Sequence, residues 1–116
     1  VLDAYNANPT SVKLAIESFC KTSYTNKMII VGDMFELGKD SNKYHQEITD
    51  SLESISDTKI YIVGKGFSKT NHSKKIKSFP STEELINNIS KLNISNYSIL
   101  IKGSRAMQLE KIVELI

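Results

Sequence analysis

The feature that most limits what this chain can fold into is an alternation of two patterns. Short uninterrupted apolar runs, each closed by a glycine or a charged residue, are separated by stretches with helical spacing. Lys27 to Val31, Ile60 to Val63 and Ser98 to Ile101 are such runs, a shorter one precedes Asp3, and a weaker one covers Lys75 to Phe79. Continuous apolar runs of this length predict strands buried on both faces. Between them Val12, Ala15, Ile16 and Phe19, then Tyr44, Ile48, Leu52 and Ile55, then Leu85, Ile89 and Leu92, and last Leu109, Ile112, Val113 and Ile116 recur with helical period. Strands that alternate with helices must be joined by crossovers, so the expected fold is a Rossmann-like three-layer α/β/α domain with a mainly parallel sheet.

Local signals mark the helix starts. Asn8 is a good N-cap and Pro9 suits the first helical position, where its missing N–H would be unpaired anyway. Asp40 or Ser41 can cap the second helix, and Ser81-Thr82-Glu83-Glu84 after Pro80 has the spacing of a capping box. Asp33 to Gly38 reads as a shaped turn with little helix of its own, and Lys65 to Lys77 as polar and loose.

A parallel sheet gathers the carboxyl ends of its strands on one rim, where ligands of open α/β sheets bind. The residues collected there are Asp3 to Asn8, Gly32 to Gly38, Gly64 to Gly66 and Lys102 to Arg105. A carboxylate such as Asp3 suits paired sugar hydroxyls, and an Asn amide can donate and accept at once, as an adenine edge requires. The alternative is that Asp3 and Asn6 only close the turn through local bonds to the backbone. Lys102-Gly103-Ser104-Arg105 opens the predicted last helix, where N–H groups, a hydroxyl and two cations converge as an anion site.

Composition narrows the class. The chain is 116 residues, expected to form one domain over 1–116, and 15 Lys+Arg against 13 Asp+Glu give no general reason for nucleic-acid or membrane partners. Six lysines and no acid lie between Lys59 and Lys77, yet aromatics are sparse there and lysine commonly solubilises edges, so a solvated face is expected. The single cysteine, Cys20, lies beside the first helix's apolar face and points to a packed thiol in a reduced, cytoplasmic protein. His45 and His72 lack metal-ligand spacing with it, so no metal site is expected. Gly64-Lys65-Gly66 lacks both phosphate-loop spacing and a dinucleotide fingerprint. Val1 already lies in a strand pattern and is not a methionine, so the chain is expected to be part of something longer.

Three stretches taken together resemble one family. Asp-Ala-Tyr-Asn-Ala-Asn-Pro-Thr-Ser at 3–11, Gly-Asp-Met-Phe-Glu-Leu-Gly at 32–38 with His45 downstream, and Leu-Ile-Lys-Gly-Ser-Arg-Ala-Met at 100–107 ending in Glu110 are similar to the C-terminal domain of the Mur ligases. They look most like the branch that adds D-Ala-D-Ala to UDP-N-acetylmuramoyl-tripeptide. The resemblance implies the C-terminal domain of a three-domain cytoplasmic ligase of peptidoglycan synthesis, closing over a central domain that carries the ATP phosphate loop and the Mg2+ ligands. It implies nucleotide contacts by Asp3, Asn6 and Asn8, with Asp3 on the ribose, Asn6 at the adenine, and Asn8 with Pro9 setting the turn. It implies substrate contacts by Asp33, Lys102, Gly103, Ser104 and Arg105, and partners that are ATP, D-Ala-D-Ala, the nucleotide-linked tripeptide and the other two domains. The chain has no Gly-x-x-x-x-Gly-Lys-Ser/Thr, so by itself it is expected to be catalytically silent, with no catalytic residue of its own. A phospho-receiver domain also has early strand-end acids, matched by Asp3 and Asp33, and a late lysine, matched by Lys102. It needs an aspartate at the end of the third strand, where this chain has Gly64. A non-catalytic dinucleotide-binding module is disfavoured by the missing fingerprint.

Overall fold

The computed structural model describes residues 2–3, 8–91, 94–104, 107–109 and 111–112. Strands β1 (Leu2–Asp3), β2 (Lys27–Gly32), β3 (Thr58–Val63), β4 (Ile76–Phe79) and β5 (Ser98–Lys102) alternate with helices α1 (Pro9–Cys20), α2 (Ser41–Glu53), α3 (Lys65–Ser68) and α4 (Thr82–Ile89). They form one five-stranded sheet in the order β1-β5-β2-β3-β4, with every pairing parallel.

Side-chain alternation along the central strands builds two cores from one sheet. Ile29, Val31, Ile60, Ile62 and Leu100 face one side and pack with Val12, Ile16 and Phe19 of α1, Ile48 and Leu52 of α2, and Phe67 of α3. Met28, Ile30, Tyr61, Val63, Ile99 and Ile101 face the other and meet Leu85 and Ile89 of α4 with Leu109 and Ile112. The chain steps outward from β1 through β4 and then returns to place β5 inside the sheet. Crossovers of one hand therefore put α1 and α2 on one face and α4 on the opposite face. This is the expected Rossmann-like three-layer fold. No helix among the described residues is long and apolar enough to cross a membrane.

Three local expectations change. The stretch after β3 is not loose, because α3 forms there and buries Phe67 completely. Cys20 is exposed rather than packed, since the α1 residues turned into the core are Val12, Ile16 and Phe19 and Cys20 is the helix's last residue. On α2 the expected face holds: Ile48 and Leu52 are buried together with His45 and Thr49, and Tyr44 and Ile55 pack against the same core. After β5, Met107 N–H donates to Ser104 O (2.9 Å) and Lys111 N–H to Gln108 O (3.2 Å), tight three-residue turns in place of a regular helix over the described positions. Leu92, Glu110, Val113 and Ile116 lie outside the described residues.

Candidate functional site at the carboxyl rim

β2 ends in Gly32, and the next residue, Asp33, is nearly buried. Its carboxylate reaches across β3. Oδ2 accepts from the Gly66 N–H at 2.8 Å and Oδ1 from the Phe67 N–H at 2.9 Å. These are orphan donors of the first turn of α3, whose own N-cap position is Gly64 and supplies no side-chain bond. Asp33 is thus a helix cap delivered from another strand, favoured also by the positive end of the helix. Gly64 has φ +116°, and a Cβ there would occupy the space of the Asp33 carboxylate, so both conformation and packing require glycine.

The loop after Asp33 is held from three directions. Asp33 N–H donates to Val63 O (3.0 Å), Met34 N–H to His45 Nε2 (3.1 Å) and Phe35 N–H to Ser104 Oγ (3.0 Å). Ser104 N–H in turn donates to Asp33 O (3.1 Å), which stitches the β2 loop to the turn after β5. Thr82 Oγ1 donates to Met107 O (2.6 Å) and ties the segment beyond that turn to the start of α4. The result is a cleft of about 390 Å³ between the loops, lined among others by Phe35, Gly64, Lys65, Glu83 and Met107. Phe35 stands 47% exposed beside it.

The sequence-predicted site residues divide by position. Asp33, Gly103 and Ser104 meet at the rim, directly hydrogen-bonded in the case of Asp33 and Ser104. Lys102 is buried at the end of β5, in register with Asp3 of β1 on one side and Val31 of β2 on the other. Asn8 caps α1: its side-chain oxygen accepts from Ser11 N–H (2.9 Å) while Ser11 Oγ accepts from Asn8 N–H (3.2 Å). Asn6 and Arg105 lie outside the described residues. His45, named from the sequence as lying downstream of the 32–38 motif, supports the rim loop from α2 without lining the cleft. The available signal was its helical spacing with Ile48, Thr49 and Leu52, which puts a polar ring on a buried stripe.

A larger cavity of about 520 Å³ opens at the opposite pole, between the ends of α1 and α2 and the amino ends of β2 and β3. Its Lys27 is engaged in closing α1, donating from Nζ to Cys20 O (3.0 Å) and Thr22 O (2.8 Å). Of the sequence-predicted site residues, Asp33 lines the rim cleft instead.

A family model for the Mur ligase glutamate ligase domain matches residues 1–105. The chain belongs to the Mur ligase family. It is 40% identical over 98% of its length to the UDP-N-acetylmuramoyl-tripeptide--D-alanyl-D-alanine ligase of Rickettsia prowazekii, and covers 26% of that protein. Among solved structures it is similar to a MurF of Acinetobacter baumannii (TM-score 0.82, 30% identity, 97% of this chain and 26% of the other). It is also similar to the MurF ligase of Thermotoga maritima in complex with ADP (TM-score 0.76, 27% identity, 97% and 26%). The chain therefore spans about a quarter of the length of the curated relatives it matches, and corresponds to the C-terminal domain of the family.

Proposed function

We propose that this chain is the C-terminal domain of a cytoplasmic, three-domain ATP-dependent ligase that joins D-Ala-D-Ala to UDP-N-acetylmuramoyl-tripeptide in peptidoglycan synthesis. The observation that carries the reading is similarity along essentially the whole chain to ligases of that name. In the proposed reaction the tripeptide carboxylate attacks the γ-phosphorus of ATP and releases ADP. The dipeptide amine then attacks the resulting acyl phosphate, forming the amide and expelling phosphate. Both steps place anionic oxygens against the rim, which suits the N–H groups and cations of Lys102 to Arg105. Asp3 is assigned to the ribose, Asn6 to the adenine, and Asn8 with Pro9 to the turn that presents them. Asp33 supports the substrate side through the loop it anchors.

Among the described residues no group of three or more His, Cys, Asp or Glu side chains is placed to hold a metal ion. Magnesium and the ATP phosphates are assigned to the central domain of the ligase, on the family resemblance and the missing phosphate loop.

The test is steady-state kinetics of the full-length protein with ATP and D-Ala-D-Ala varied in turn. Asp3→Ala removes bonds to hydroxyls remote from the reacting bond. It should raise the ATP KM by about one to two orders of magnitude with little change in kcat. Arg105→Ala should act on the dipeptide constant or on turnover. Absence of dipeptide-dependent ADP formation by the wild type would refute the function, and a reversed pattern for the two variants would refute the assignment of the two ends.

A further inference from the structure

We propose that His45 is a positioning residue of the ligase site, setting the height of the 33–37 loop and so the place of Phe35 on the rim. The inference rests on the function proposed above. His45 is 1% exposed and lies on α2, away from the cleft, yet both its ring nitrogens are engaged. Nδ1 lies 2.8 Å from Ser41 O, an acceptor only, so Nδ1 carries the proton and donates. That leaves Nε2 as an acceptor, and it takes the Met34 N–H at 3.1 Å. The carbonyl of Ser41 thereby selects the one tautomer that can hold the loop.

Ser41 Oγ also lies 3.3 Å from Nδ1 and can accept from the same N–H, which is compatible with this tautomer. Asp33 Oδ1 lies 3.7 Å from Nε2, beyond hydrogen-bond distance, whereas Met34 N is at 3.1 Å, so the loop amide is the group that Nε2 engages. Phe67 packs edge-on to the ring at 4.6 Å. Gly66 approaches so closely that a Cβ there would come within 2.8 Å of Nε2, so the ring in this position requires glycine at 66. The buried ring therefore fixes one backbone amide in a loop whose next residue is the half-exposed Phe35.

Topology decides which substrate should feel it. The loop follows β2, which is separated from β1 by β5. At the usual strand spacing Asp3 and the proposed nucleotide end lie about 10 Å away along the rim. A displaced loop should therefore act on the amine substrate and on turnover before it acts on ATP.

The experiment uses the full-length enzyme with His45→Asn, His45→Gln and Phe35→Ala, measuring kcat, both KM values and thermal stability. Asn retains a short group facing Ser41 but cannot reach Met34, whereas Gln can present Oε1 near the position of Nε2. His45→Asn should lower kcat/KM for D-Ala-D-Ala by about ten- to a hundredfold, the scale of one buried hydrogen bond, with a smaller change in the ATP KM. His45→Gln should recover most of the loss, and Phe35→Ala, which leaves the core intact, should reproduce the same selectivity for the dipeptide. The proposal is overturned if His45→Asn folds and is fully active, if Gln is no better than Asn, or if Phe35→Ala leaves the dipeptide constant and kcat unchanged. The Phe35 outcome decides the matter even where the His45 variants fail to fold. A wild type without dipeptide-dependent ADP formation would instead remove the functional reading beneath it.

Discussion

Replacing Asp33 by Asn isolates the cap that one strand supplies to the helix beginning after its neighbour. The two side chains have nearly the same shape, so no cavity is made and the change is electrostatic. Asp33 accepts two backbone bonds, at 2.8 Å from Gly66 and 2.9 Å from Phe67. Asn has a single oxygen, so one N–H would face an NH2 group, and the surviving bond would lose its ionic component. A hydrogen bond to a charged group contributes about 1.5–3 kcal/mol, and a buried donor left unpaired costs about 1–3 kcal/mol. Because these overlap, a total near 3 kcal/mol is expected. Against the roughly 5–15 kcal/mol of a typical domain this is a large fraction. At about 4 °C per kcal/mol for a domain of this size, Tm should fall by about 12 °C. Urea unfolding of the 116-residue chain, followed by circular dichroism, gives the difference directly, and an unchanged slope would certify that the same surface unfolds. A loss below about 0.5 kcal/mol, the range of ordinary surface substitutions, would refute the cap.

Three further outcomes follow from neighbouring features. Gly64→Ala must adopt φ +116° and displace the Asp33 carboxylate, so it should cost at least about 2 kcal/mol in the same assay; a variant as stable as wild type would contradict the geometry. Cys20→Ala, at an exposed helix end, should shift stability by no more than about 0.5 kcal/mol. The Glu53 carboxylate is held below its ordinary value of 4.5, first by the Ser73 N–H, then by the Ser73 hydroxyl, with help from Lys75 and His72. Its folded form favours the charge, so its contribution is complete above pH 4.5 and is lost as pH falls through the lower folded value. The stability gap between wild type and Glu53→Gln, measured across that window, should therefore close on acidification.

The fold was legible because its signals are local. Runs such as Met28 to Val31 have both faces buried, and period-two alternation sends Met28 and Ile30 to one core and Ile29 and Val31 to the other. Asn8 and Ser81 announced α1 and α4 and indeed accept from Ser11 and Glu84. What stayed hidden depends on partners distant in sequence. α3 has no capping side chain of its own, because its cap is Asp33, more than thirty residues earlier. The exposure of Cys20 is a matter of where α1 stops, which its apolar spacing does not set.

The rim illustrates a more general difficulty in reading sites from residue types. Asp33, Ser104 and Asn8 are polar, lie at strand ends or helix starts, and were expected to contact ligands by their place on the rim and by the family resemblance. In the folded chain Asp33 caps α3, Ser104 holds Phe35 N–H, and Asn8 caps α1. The donors held by Ser104 and Asn8 are exposed, whereas Asp33, whose Phe67 donor is buried, has less capacity to change partners during a reaction, since abandoning that donor costs about as much as a new bond returns. Such a residue acts best by holding others still. Binding then falls to groups carried at the edge of this braced framework, which puts the half-exposed Phe35 ahead of Asp33 as a determinant of what the cleft accepts. His45 fits the same logic from the opposite direction: it lines no cleft, yet it fixes one amide of the loop on which Phe35 is carried.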